Sequence, residues 1–173
     1  RFPMQKLNNP NMHRLRDERG RFKRRPYMLE KSRRKITRLF IHCSATMPHR
    51  NVRAADIRRW HKEQGWSDIG YHYVICRDGE VEAGRSVHKT GAHAKGHNTG
   101  TLAICMIGGL GKDNRPAPDY TQAQWRALDR FISQFRATYP GATIHGHNEV
   151  SDKACPSFDV QEFLQSGRIE AVR

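Results

Sequence analysis

The segment "HNEVSDKACPSFD", His147 to Asp159, places a histidine, a lysine and a cysteine within nine positions, with a proline directly after the thiol. His145 stands two residues earlier and His42 lies far upstream, just before "CSAT". Imidazoles and a thiolate are the donors that zinc prefers. Three protein ligands with a fourth position left for water make a catalytic site rather than a structural one. Strand alternation sends residues i and i+2 to one face, so His145 and His147 are both able to reach such a site. Pro156 restricts Cys155 to extended backbone. Spacing alone leaves the ligand set open, because no C-x-x-C or H-E-x-x-H occurs, and a core cysteine among hydrogen-bonded histidines is the plainer arrangement.

These residues need elements to hold them. "TRLFIHCSAT" is a short apolar run bounded by polar residues, the pattern of a buried strand, and "TLAICMIGG" is another. "AADIRRWHKEQGW" sets Ile57, Trp60 and Gln64 on one helical face and stops at Gly65. "GYHYVICRDGEVEAG" reads as two strands around an Asp-Gly turn. "TQAQWRALDRFISQFRATY" spaces Trp125, Leu128, Ile132, Phe135 and Tyr139 as a helix, with Thr121 as N-cap. "ATIHGH" is a last strand, and "DVQEFLQSG" a closing helix with Asp159 and Glu162 set as a capping box. The order predicts an α/β fold: one domain with a central mixed β-sheet flanked by helices.

The chain has 173 residues, enough for one full core and too few for two. Its formal charge of +14 is uneven. Residues 1–35 hold thirteen Lys/Arg against three Asp/Glu, so about +10 belongs to a basic N-terminal extension and +4 to residues 36–173. That extension is too poor in aliphatics to offset its ordering entropy and is expected to be flexible or loosely docked, with at most a short helix over Met12–Arg19. No run of eighteen apolar residues suggests a membrane span. The basic start lacks the apolar stretch of a secretory signal, so synthesis in a cytoplasm is expected. Cys43, Cys76 and Cys105 fall in strand patterns and read as core thiols. His61, beside lysine and glutamate on a helix, is expected to be exposed, and His72 packed or hydrogen-bonded.

The blocks "FIHCSAT", "IRRWHKEQGWSDIGYHYVICRDGEVEAGR", "GAHAKGHNTGTLAICMIGG" and "HNEVSDKACPSFD" closely resemble the phage lysozymes of the T-seven type. Those are zinc N-acetylmuramoyl-L-alanine amidases related to the peptidoglycan recognition proteins, and the likeness runs over residues 36–166. The resemblance implies one Zn²⁺ held by His42, His147 and Cys155, with His145 outside the coordination sphere. It implies Tyr71 and Lys153 as catalytic partners, and a cleft segment in which His93 and Lys95 contact substrate. The reaction would be hydrolysis of the amide between N-acetylmuramic acid and L-alanine, by a water whose pKa zinc lowers toward about 7. Lys153 would stabilise the developing oxyanion. The implied setting is a phage endolysin, monomeric, made in the host cytoplasm and acting on the wall after release through a membrane pore. The basic extension would meet lipopolysaccharide, anionic lipid or other polyanions. Two other classes fit parts of the sequence: a peptidoglycan-binding module without catalysis, and a nucleic-acid- or polymerase-binding regulator.

Overall fold

The computed structural model describes residues 14–16, 22–24 and 29–166. Strands β1 (Arg14–Arg16) and β2 (Phe22–Arg24) pair antiparallel, with Arg14 opposite Arg24. Arg14–Arg16 is thus strand and not part of a helix over Met12–Arg19. The remainder of that segment lies outside the described residues.

The main sheet has five strands in the order β5-β4-β6-β3-β7. They are β3 (Arg38–Cys43), β4 (Tyr73–Ile75), β5 (Val81–Ala83), β6 (Thr101–Met106) and β7 (Thr143–Gly146). β3 runs parallel to both β6 and β7, and β4 runs parallel to β6. Only β5, folded back through the Asp78-Gly79 turn, is antiparallel. Gly79 takes φ +82°, and a Cβ there would lie 2.7 Å from the Ala123 carbonyl oxygen, so glycine is needed twice over. The mixed sheet is the one expected from the element order.

Helix α2 (Gln122–Thr138) and helix α3 (Val160–Ser166) cover one face of the sheet. Trp125, Leu128, Ile132 and Phe135 pack there against Leu39, Ile41, Leu102 and Ile104. Thr121 caps α2 as predicted: its Oγ1 accepts the Gln124 N–H at 3.1 Å, and Gln124 Oε1 accepts the Thr121 N–H at 3.0 Å. Buried Gln124 also donates to the carbonyls of Ile75 and Ile107, tying the helix start to the ends of two strands. Asp159 caps α3 by accepting the Glu162 N–H at 3.0 Å.

Helix α1 (Ala54–Glu63) lies on the other face, with Val52, Ala54 and Ile57 against Val74, Cys76, Cys105 and Ile107. Its C-terminus falls at Gln64, which is exposed rather than on the buried face, and Gly65 follows with φ +91°. All four cysteines are free.

The charge count assigns residues 29–35 to the extension, yet they are bound to the domain. The Ser32 N–H donates to Tyr139 Oη at 2.7 Å and the Ser32 hydroxyl to the Val87 carbonyl at 2.7 Å. Arg34 reaches the carbonyls of Val87 and Thr101, and Leu29 packs on the α2 side of the core.

Candidate active site

Strands β3 and β7 end side by side, and the ends of parallel strands are where open α/β sheets form their crevices. His42 is the penultimate residue of β3 and is buried. β7 stops at Gly146, and the chain turns at once into a short 3₁₀ turn, His147–Glu149. His145 and His147 still lie on one side of the sheet, His145 against Phe40 and His147 against His42. His145 stays on the strand, bonded to Thr143 Oγ1 and Glu149 Oε1, and is not brought to the site. His147 turns inward until its ring lies 4.5 Å from that of His42.

The 148–155 loop closes on the same point, since the Asn148 N–H donates to the Cys155 carbonyl at 2.7 Å. Cys155 Sγ lies 3.8 Å from His42 Nδ1. One donor atom each from His42, His147 and Cys155 fall within 4.8 Å of one another, and no other such cluster occurs among the described residues. Tetrahedral zinc with ordinary Zn–S and Zn–N lengths would separate sulfur and nitrogen by about 3.6 Å, so these residues fit the ion. The Cys43 N–H donates to Cys155 Sγ at 3.1 Å, a bond that favours a thiolate there.

Electrostatics keep the imidazoles neutral. Burial, then the neighbouring His93, His147 and Lys153, hold His42 well below the ordinary histidine range. Burial, then Lys153 and His97, lower His147. In the absence of a cation, contact between the two thiols lowers Cys43 and raises Cys155. A divalent ion at the cluster would invert that order by stabilising the ligating thiolate.

Residues 32–158 match the family described as N-acetylmuramoyl-L-alanine amidase. The chain belongs to that amidase family. It is 44% identical to the endolysin of Enterobacteria phage K11 over 137 residues, 79% of this chain and 91% of the relative. It is 43% identical to the endolysin of Escherichia phage T7 over 139 residues, 80% and 92% of the two chains. Among solved structures, the N-acetylmuramoyl-L-alanine amidase LysC from Clostridium intestinale superposes with a TM-score of 0.66 at 25% identity, covering 77% of this chain and 85% of that one. Drosophila peptidoglycan recognition protein SD shares the fold, with a TM-score of 0.63 over 79% of this chain and 85% of its own.

In this amidase the other expected site residues divide. The Tyr71 ring lies 5.1 Å from that of His42. Tyr71 is half-buried, and burial, then the thiols of Cys105, Cys155 and Cys43, raise its pKa well above the ordinary range. Tyr71 thus keeps its phenolic proton. Lys153 is exposed at the rim and close enough to depress both imidazoles. Lys95 is exposed on the 91–98 loop. His93 faces inward: Nδ1 is 2.9 Å from His42 Nε2 and Nε2 is 2.9 Å from Thr101 Oγ1, so both ring nitrogens are engaged inside the protein.

Sequence reasoning missed three participants. Thr101 reads as an ordinary first residue of a strand. The Cys43 amide has no sequence signature at all. His61 is not the exposed residue its helical neighbours suggest: it is half-buried, accepts the Gly70 N–H at 2.9 Å, and stacks against Trp66 and Tyr71. Its position on the helical face next to Ile57 and Trp60 was the available signal. His72, by contrast, is packed and doubly bonded as expected, accepting from the Ala103 N–H and donating to the Lys89 carbonyl.

Proposed function

We propose that this chain is a zinc-dependent endolysin that hydrolyses the amide joining the lactyl group of N-acetylmuramic acid to L-alanine in peptidoglycan. The observation that carries the reading is the convergence of His42, His147 and Cys155, from three separate segments, within 4.8 Å. Zinc held there would supply an activated water at near-neutral pH and a Lewis acid for the scissile carbonyl. The depressed basicity of His42 and His147 leaves their lone pairs free for the ion. The protonated phenol of Tyr71 suits donation to the carbonyl oxygen as it gains charge. Lys153 adds a positive charge at the open rim, where the substrate peptide must enter. When the C–N bond breaks, the alanine nitrogen takes a proton and a lactyl carboxylate remains on the sugar.

Purified peptidoglycan should release peptides with a free N-terminal L-alanine. A chelator should stop the release and added zinc restore it. Peptidoglycan binding with no release from the zinc-loaded protein would reduce the chain to a binding module.

The extension has a separate reading. With about +10 on residues 1–35, it is suited to polyanions such as lipopolysaccharide phosphates and anionic lipid. Removing residues 1–28 spares the segment bound to the domain. The truncation should leave hydrolysis of purified wall unchanged and weaken lysis of whole cells in a salt-sensitive way; equal loss in both assays would refute this role.

A further inference from the structure

We infer that His93 is a positioning residue, which with Thr101 fixes His42 in the tautomer that presents a bare Nδ1 to the metal. The inference rests on the metal-site reading above and adds a role that a cleft-lining contact with substrate would not give.

Direction in the relay follows from its buried end. Thr101 Oγ1 lies 3.0 Å from the His97 carbonyl and 2.9 Å from the Asn98 carbonyl, and both of those groups only accept. The single hydroxyl proton must go to one of them, because pointing it elsewhere would set oxygen lone pairs against oxygen lone pairs. Toward His93, Thr101 Oγ1 is therefore an acceptor, and His93 Nε2 carries the proton of that 2.9 Å bond. In the neutral ring Nδ1 is then bare, so it accepts from His42 Nε2–H across 2.9 Å. His42 Nδ1 is left without a proton, and it is the nitrogen 3.8 Å from Cys155 Sγ. The opposite tautomer would aim an N–H bond at the ion.

The relay cannot easily reverse. Thr101 is fully buried, and its two acceptors are main-chain groups. Asn98 Oδ1 accepts the N–H groups of both His93 and Ala94, which closes the loop that carries the ring. A Cβ on Gly91 would lie 2.9 Å from ring carbons of both His72 and His93, so the backbone is matched to these rings. Partners of this kind typically contribute 10- to 100-fold to metal affinity by orienting the ligand.

Two measurements test the assignment. Long-range proton–nitrogen correlation on metal-free, histidine-labelled full chain reads the tautomers directly. His42 and His93 should both carry the proton on Nε2, and a His42 protonated on Nδ1 would overturn the inference without any variant. Zinc affinity, by competition with a chromophoric chelator, gives the second readout. His93→Phe keeps ring volume without the acceptor and should weaken zinc by about 10- to 100-fold. His93→Asn returns an acceptor near the Nδ1 position and should recover most of that loss. The thiolate charge-transfer band of the cobalt-substituted His93→Phe protein should shift and broaden. A merely structural ring would lower the melting temperature of the metal-free protein and leave the zinc affinity within about twofold, which overturns the inference. Should His93→Phe fail to fold, Thr101→Val carries the same test, with an expected loss of about 10-fold. A flat zinc titration of the unsubstituted chain would sink the metal site itself, whereas a binding parent with an unchanged variant sinks this inference alone.

Discussion

Along β3, Leu39, Ile41 and Cys43 face α2 and α3, while Phe40 and His42 face the side that carries the other histidines. β6 divides in the same way: Leu102, Ile104 and Met106 join the α2 side, whereas Thr101 lies under His93. The α2 side is closed by aliphatic and aromatic groups with little to hydrogen-bond. The opposite side holds, beside the apolar cluster under α1, a polar array in which His42, His93 and Thr101 are bonded in series. One strand therefore serves stability with its odd residues and chemistry with its even ones, and substitutions should separate the two.

The largest separation is expected at the ligands. Cys155→Ala or His147→Ala should take metal content from one ion per chain to near zero and peptide release below detection. The melting temperature of the metal-free protein should move by less than about 4 °C, checked by calorimetry beside metal analysis. Tyr71→Phe comes next. It should lower kcat by roughly 10²- to 10³-fold with zinc stoichiometry intact, the signature of a lost donor rather than a lost ion. On the α2 side, Leu128→Ala should cost about 3 kcal/mol in denaturant unfolding, yet leave kcat per folded molecule unchanged. A loss of activity beyond the unfolded fraction would break the comparison.

An effect of about the same size as Leu128→Ala, about 3 kcal/mol between pH 6.5 and pH 4, is expected in pH. Burial, which outweighs the bond to the Lys89 carbonyl, pushes His72 down to about 4. Below the ordinary histidine value near 6.5 the unfolded chain takes up a proton that the folded chain refuses. Stability should therefore be full above pH 6.5 and fall toward pH 4, by up to about 1.4 kcal/mol per pH unit for this one group. A flat metal-free stability profile between those limits would show that His72 is not held neutral by the fold.

How much of this was legible depends on the reach of each signal. Local patterns placed the Asp78-Gly79 hairpin, both buried strands and the Thr121 cap, because each is specified within a few residues of itself. The site was not specified that way. From spacing alone His145 and His147 were equal candidates; both do lie on the His42 side of the sheet, but only His147, on the 3₁₀ turn after β7, comes beside His42, while His145 stays against Phe40. The resemblance singled out His147, and it is this ring that lies with His42 and Cys155. His93 was visible as part of a cleft segment, but its direction was not, since that depends on Thr101 and two carbonyls that only tertiary contact supplies. Charge counting misplaced residues 29–35 for a related reason. Composition registers the cations of Arg33 and Arg34, but it is blind to the backbone and hydroxyl bonds of Ser32.

The bound segment of residues 29–36 has a geometric corollary. It joins the domain at Tyr139, Val87 and the first residue of β6, the amino end of the parallel strands, whereas His42 and Cys155 lie at their carboxyl end. The six residues of β3 stand between these two poles, a distance of roughly 20 Å. Residues 29–35 are therefore anchored at the pole of the sheet opposite the one where His42 and Cys155 converge.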